Sequence, residues 1–258
     1  MGWKDMGKWR LGSVEEYLLK RIEEEGTIHL TLLDPERRGM DFSEVAKEAE
    51  RGGTAAIMVG GSTLASQSEL DEAIKAIKAA VGVPVILFPN NISGVSRYAD
   101  AIWFMSLLNS SNTYYLIDVQ ALTARVIKQY GIEPIPMGYI IVGDGGAAGY
   151  IGQARPIPYD HPEIAVGYSL AGEFLGMHFI YLEAGSGAKK PVPIEMVRMV
   201  RHHLSVPLIV GGGVREGASA RRIAEAGADV IVTGTLVEET ERVREKIAEV
   251  VSHISRRA

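Results

Sequence analysis

The chain has 258 residues, 47% of them hydrophobic and 23% charged, the balance of a soluble globular protein with a sizeable core. A net charge of −5 argues against a general nucleic-acid binder, and the absence of cysteine excludes disulfides and thiolate metal sites. The first twenty residues are charged throughout with no apolar run, so neither a secretory signal nor a transmembrane span is expected and a cytoplasmic location is the default.

Strands and helices then alternate. Ser13–Glu25 reads as a helix with Ser13 as N-cap, Glu15 and Glu16 in the first turn and Gly26 as its stop. Strand Ile28–Leu33 ends in Asp34-Pro35-Glu36, helix Phe42–Arg51 closes on Gly52-Gly53, and strand Ala55–Val59 leads into Gly60-Gly61-Ser62-Thr63. Helix Glu69–Ala80 has Leu70, Ile74 and Ile77 on one face, and strand Val83–Phe88 follows. Only Ile92–Ala99 separates it from strand Ala101–Leu107, which leaves room for about one helical turn. Helix Tyr115–Tyr130, strand Ile135–Val142, loops Gly143–Gly152 and Ala154–Pro162, and helix Glu163–Leu175 come next. Strand Phe179–Glu183, helix Pro193–Leu204, strand Pro207–Val210, an Ala/Arg helix, strand Ala228–Val232 and helix Thr240–Ser255 complete the chain.

Eight strands, all but one followed by a clear helix, predict parallel pairing through right-handed crossovers. Closure into one (β/α)8 TIM barrel over residues 1–258 is the expected solution, with a doubly wound open sheet as the alternative. In such a barrel the site lies at the C-terminal ends of the strands. Two strands there open into Gly211-Gly212-Gly213 and Thr233-Gly234-Thr235, the usual phosphate-binding place after strands seven and eight. Glycines let main-chain N–H groups approach an anion closely.

Glu183 is the candidate acid/base, since burial beside a glycine loop raises a carboxyl pKa; an ion pair with Lys189 or Lys190 is the alternative. Tyr181, on the same strand face, either hydrogen-bonds a phosphate or fills the core. Asp34 with Ser62 is a hard oxygen pair suited to Mg²⁺, unless Asp34 only caps the Pro35 turn. Asp144 is either catalytic or, in its glycine-rich surroundings, a mobile-loop residue, and Arg215 either adds charge to the phosphate or points into solvent. None of the six histidines has ligand spacing: His202 and His203 lie on a surface helix, and His29 and His178 on the stability face.

Five motifs occur in order at barrel spacing: Leu32-Leu33-Asp34-Pro35, Val59-Gly60-Gly61-Ser62, Tyr181-Leu182-Glu183-Ala184-Gly185-Ser186-Gly187, Gly211-Gly212-Gly213-Val214-Arg215 and Gly234-Thr235-Leu236-Val237-Glu238. The set resembles the geranylgeranylglyceryl phosphate synthase family, which includes bacterial heptaprenylglyceryl phosphate synthases. The resemblance implies a prenyltransferase that joins geranylgeranyl diphosphate to sn-glycerol 1-phosphate in archaeal ether-lipid synthesis, with Mg²⁺ at Asp34 and Ser62. It further implies that Tyr181 through Gly187, Gly212, Gly213, Gly234 and Thr235 hold glycerol phosphate, and that the third helix is degenerate. A homo-oligomer, dimer or hexamer, is implied as well, with Tyr139, Tyr159, Tyr168 and Phe174 as candidate anchors between subunits. The prenyl tail needs an apolar groove, for which Ile102, Trp103, Met105, Leu107, Leu108, Tyr139 and the Gly143–Gly152 loop are candidates. Transient membrane contact for release of the product is also expected.

The competing readings are a heptaprenyl-transferring relative, a phosphosugar isomerase or aldolase on the same barrel, and a non-catalytic phosphometabolite sensor. No lysine lies in any of the eight expected strands, which counts against a Schiff-base aldolase.

Overall fold

The structure, a computed structural model, describes residues 11–36, 39–61 and 66–255. Its eight strands close into a barrel in sequence order, every neighbouring pair parallel. They are β1 (Ile28–Leu33), β2 (Ala56–Val59), β3 (Val85–Leu87), β4 (Ala101–Leu107), β5 (Glu133–Ile141), β6 (Phe179–Glu183), β7 (Leu208–Gly211) and β8 (Val230–Thr233). Closure by β1–β8 pairing removes the sheet edge, so the alternative of an open sheet is discarded.

Inside the barrel Leu30, Met58, Trp103, Phe179 and Tyr181 fill the core. Outside it Leu33, Ile57, Leu182, Val210 and Ile231 pack against the helices. This two-sided burial explains why the strands read as apolar runs without alternation. Helix α1 (Ser13–Glu25) lies with Val14 and Leu18 against the inner core. Its N-cap is Gly12, not Ser13. The capping is done from a distance: both Glu133 carboxylate oxygens accept from the Val14 and Glu15 amides at 2.8 Å. Position 12 is glycine because a side chain there would overlap Glu133.

Helices α2 (Phe42–Arg51) and α3 (Gln67–Ala80) follow β1 and β2, capped by Asp41 and Ser66. Between β3 and β4 only a 3₁₀ turn, Ile92–Gly94, is found, as the short crossover predicts. Helix α4 (Val119–Tyr130) is entered through a π-helical turn, Tyr114–Asp118. The loop after β5 contains a short helix, α5 (Gly146–Ile151), and α6 (Pro162–Phe174), α7 (Ile194–His203) and α8 (Gly217–Glu225) complete the next crossovers. After β8 comes a single-turn helix, α9 (Thr235–Glu238), before α10 (Val243–Ile254).

One clamp is built twice. Asp100, just before β4, accepts from Val85 N at 2.8 Å and pairs with Lys78 of α3. Asp229, just before β8, accepts from Leu208 N at 2.8 Å and pairs with Arg201 of α7. Each ties a strand, its helix and the next strand at the face opposite the mouth. Among the described residues no helix is long and apolar enough to cross a membrane.

Candidate active site

Register brings the chemistry together. Glu183 pairs with Ile141 on one side and Gly211 on the other, so the last residue of β6 sits beside the β7 glycine loop. Its side chain is 5% exposed, and Gly185 N–H donates to Oε1 at 2.6 Å. Burial pushes the Glu183 carboxyl pKa up. The Tyr181 and Tyr139 hydroxyls and the Gly185 amide pull the other way. Tyr181 Oη closes no hydrogen bond of full geometry with the protein, so the Gly185 bond is the firm one and burial wins. Neither Lys189 nor Lys190 contributes to the shift, so the ion-pair alternative fails.

The glycines here are demanded by close approach. A Cβ on Gly211 would lie 2.1 Å from Tyr181 Oη, and one on Gly212 would lie 2.4 Å from Glu183 Oε1. Gly212 and Gly213 also have φ of +82° and +71°, the left-handed region in which side chains are strained. Together with Ser186, Gly187, Gly234 and Thr235 they line a small cavity of about 420 Å³ at the ends of β6, β7 and β8. Tyr181 and Arg215 line it too. Arg215 is exposed, as expected from sequence, and meets the equally exposed Glu239 at 3.4 Å. Leu182 and Ala184 turn their side chains into the outer core, so only their backbone is left for a ligand. Gly185 serves the site through its bond to Glu183.

A second, larger cavity of about 1250 Å³, counting its open part, runs between β4 and α4. Ile102, Trp103, Met105, Leu107 and Tyr139 line it as expected, with Ala148, Ile151 and Gly152 from the next loop. Leu108 does not; it packs in the outer core instead. Phe88, Tyr115, Val119, Thr123 and Ile127 line the cavity without having been singled out from sequence. The signal was the short third crossover: with no helix after β3, the flank of α4 that would have met it is left facing a groove. The two cavities share Leu32, Glu183, Ser186 and Gly234. Glu183 therefore stands at their junction.

Asp34 lines the larger cavity at the mouth. Oδ1 accepts from Glu36 N at 3.0 Å, so the turn-capping role is real. The carboxylate also fills the space that a side chain on Gly61 would need. Ser62 lies outside the described residues. Among the described residues no group of three or more His, Asp or Glu could hold a metal. Asp34 is a single hard oxygen donor at the mouth, and Mg²⁺ needs only one or two such protein oxygens, the rest of its shell being water and phosphate.

The other candidates lie outside the two cavities. Asp144 is exposed and lines neither cavity. His29 is buried against Thr54 and Thr233, and His178 meets Glu15 at 2.7 Å beside α1.

Comparison with known proteins agrees with this geometry. The model of the PcrB family matches residues 20–253. The geranylgeranylglyceryl phosphate synthase of Methanococcoides burtonii is 54% identical over 245 residues, covering 94% of the chain and 99% of the relative. That of Methanothermobacter thermautotrophicus is 53% identical over 239 residues, covering 92% and 97%. Among solved structures, (S)-3-O-geranylgeranylglyceryl phosphate synthase from Thermoplasma acidophilum, in complex with its substrate sn-glycerol-1-phosphate, superposes with a TM-score of 0.90 at 40% identity, covering 95% of the chain and 99% of the other.

Proposed function

The chain belongs to the PcrB family, and we propose that it is a prenyltransferase that moves a geranylgeranyl group from geranylgeranyl diphosphate to the C3 hydroxyl of sn-glycerol 1-phosphate. The observation that carries this reading is the junction of the two cavities at Glu183: a small glycine-walled pocket meets a long apolar groove at one buried carboxylate.

Each part then has a task. Backbone amides of Gly212, Gly213, Gly234 and Thr235 hold the glycerol phosphate, with Ser186 and Gly187 closing over it. Glu183, held by the Gly185 amide, orients the glycerol hydroxyl and takes its proton as the oxygen attacks the allylic carbon. The C–O bond to diphosphate breaks as the ether bond forms. The groove holds the tail and keeps water from the reacting carbon. Asp34, with Ser62 carried over from the sequence motif, would hold Mg²⁺, which when bound neutralises the departing diphosphate. Fixing the hydroxyl against the carbon contributes several kcal/mol on its own, of the roughly 7–11 kcal/mol that full orientation can give. A homo-oligomer, dimer or hexamer, belongs to the same proposal by family resemblance, and a cytoplasmic location by the charged N-terminal sequence.

The test is transfer itself. Incubation with sn-glycerol 1-phosphate, Mg²⁺ and labelled prenyl diphosphates of increasing length should give an ether-linked, extractable product, with the geranylgeranyl donor preferred. Preference for the heptaprenyl donor would move the chain to that branch of the family. Binding of glycerol phosphate without turnover on any donor would leave only a sensor.

A further inference from the structure

Two kinds of surface divide the mouth of the barrel. The loops after β1, β6, β7 and β8 carry Asp34, Glu36, Lys189, Lys190, Arg215 and Glu239 around the phosphate pocket. The segments after β3, β4 and β5 differ. Residues 89–96, 101–117 and 145–154 contain no charged side chain. Each segment exposes one large apolar residue: Ile92 is 50% exposed on the 3₁₀ turn, Ile117 61% on the π-helical turn, and Tyr150 88% on α5. None of the three lines the groove; Ile92 and Tyr150 each adjoin a residue that does, Asn91 and Ile151, and Ile117 lies two residues from each of two, Tyr115 and Val119. The apolar groove thus opens at a rim that is itself apolar, on consecutive elements at one end of the fold. Exposed apolar groups gathered this way mark an interaction surface rather than the scattered exposure of an ordinary monomer.

We propose that this rim, carried by Ile92, Ile117 and Tyr150, docks on the surface of a lipid bilayer so that a prenyl tail passes between the bilayer and the groove without crossing water. The inference rests on the reading of the large cavity as a prenyl groove. Continuity of rim and groove selects a lipid partner over a protein one, because the material entering the groove is itself an amphiphile. Charge refines the partner further. The residues that bound the uncharged segments, Arg97, Asp100, Asp118, Asp144 and Arg155, carry no net positive charge. Docking is therefore by insertion of apolar side chains at the headgroup boundary, not by attraction to anionic lipid.

The experiment is flotation of the whole chain with phosphatidylcholine vesicles, which have no net charge, at low and high salt, beside a triple variant Ile92→Asp, Ile117→Asp, Tyr150→Asp. Wild-type protein should float with the vesicles to the same extent at both salt concentrations. The variant should bind at least about tenfold less. Its transfer from a short, water-soluble prenyl diphosphate to glycerol phosphate should be unchanged, while transfer from a vesicle-loaded donor falls with the binding. Protein that stays at the bottom, binds only anionic vesicles, or floats equally well as the variant overturns the proposal. So does a change in sedimenting mass of the variant, which would make the rim an interface between copies of the chain. Absence of transfer from the soluble donor by the wild type would count against the prenyltransferase reading instead, while flotation still decides the docking.

Discussion

Replacing Gly212 by alanine tests the site at its tightest point. Two costs are separable. The first is backbone strain: at φ +82° an alanine loses about 1–2 kcal/mol. The second is collision. The new methyl would stand 2.4 Å from Glu183 Oε1 and 2.7 Å from Gly185 N, where ordinary contact begins at 3.4 Å. The carboxylate must therefore retreat by about 1 Å, and the 2.6 Å bond from Gly185 cannot survive in its present form. Misplacement of a reacting group by this much costs on the order of 100-fold in rate, equivalent to about 2.7 kcal/mol of transition-state stabilisation. Gly131→Ala supplies the control, because that residue has φ of +73° with nothing within 4 Å of a built Cβ and ends α4 far from the mouth. Steady-state transfer kinetics and denaturant melts on both variants give the answer. Gly131→Ala should lose about 1 kcal/mol of stability and no activity. Gly212→Ala should lose about 100-fold in kcat/KM beyond any loss of stability. Transfer by Gly212→Ala within threefold of wild type would show that Glu183 is not held against the glycine loop during the reaction.

Further outcomes follow from the same geometry. Because burial raises the Glu183 pKa, the folded state keeps that proton to a higher pH than the unfolded chain, so stability falls as pH rises through that window. Glu183→Gln should then be at least as stable as wild type at neutral pH while losing transfer, and the wild-type acid limb of kcat/KM should lie above the usual carboxylate range of about 4.3; loss of glycerol phosphate binding in the variant would make Glu183 a binding residue instead of a base. Asp34→Ala should abolish transfer at any Mg²⁺ concentration and leave glycerol phosphate binding by calorimetry intact; unchanged turnover would remove Asp34 from metal binding. His29, desolvated to a pKa of about 3, stays neutral in the fold while the unfolded chain takes up a proton near 6.5, so wild-type stability should fall with pH between those values at up to ~1.4 kcal/mol per unit. His29→Gln should flatten that slope in thermal melts across pH. Glu133→Ala removes two caps from α1 and should cost about 1–2 kcal/mol in denaturant unfolding, without changing kcat.

The barrel was legible because alternation of apolar runs and amphipathic helices is a local signal, and eight such units leave few ways to close. What misled the reading was non-local. Ser13 has the chemistry of an N-cap, but the cap comes from Glu133, 118 to 119 residues away, which no window along the chain can reveal. Strand β5 begins at Glu133 rather than Ile135 because its ladder with β4 extends to Glu133 opposite Ala101, Glu133 N–H donating to Asp100 O at 3.2 Å. The single turn of α9 and the six residues of α5 are too short for periodicity to register. In the site, the glycine loops, Tyr181 and Glu183 announced themselves through residue type and position after strands. The α4 side of the groove did not, because Val119, Thr123 and Ile127 read as the core stripe of any barrel helix.

That same stripe shows how one fold serves two unlike ligands. A barrel's strands are held by hydrogen bonds to each other, so a crossover helix can be lost without opening the sheet: β3 and β4 still pair through Ile86–Ala101 and Leu87–Ile102. What the missing helix would have covered becomes groove wall, and α4 leans over it from the far side. The groove is therefore walled both by outward-facing Ile102 and Phe104 and by inner residues near the mouth such as Phe88, Met105 and Tyr139, and there it meets the glycine-walled pocket that the other end of the sheet order supplies. Only residues at that meeting can touch both a phosphate-bound alcohol and a tail-bearing carbon. Glu183 and Ser186 are two of the four residues that line both cavities, and Glu183 is the one able to accept a proton. Filling the groove with a bulky side chain at Thr123, which faces it from α4, should therefore weaken use of the prenyl donor while leaving glycerol phosphate affinity unchanged. Equal loss of both affinities would mean that the two cavities are not the separate halves of one reaction centre.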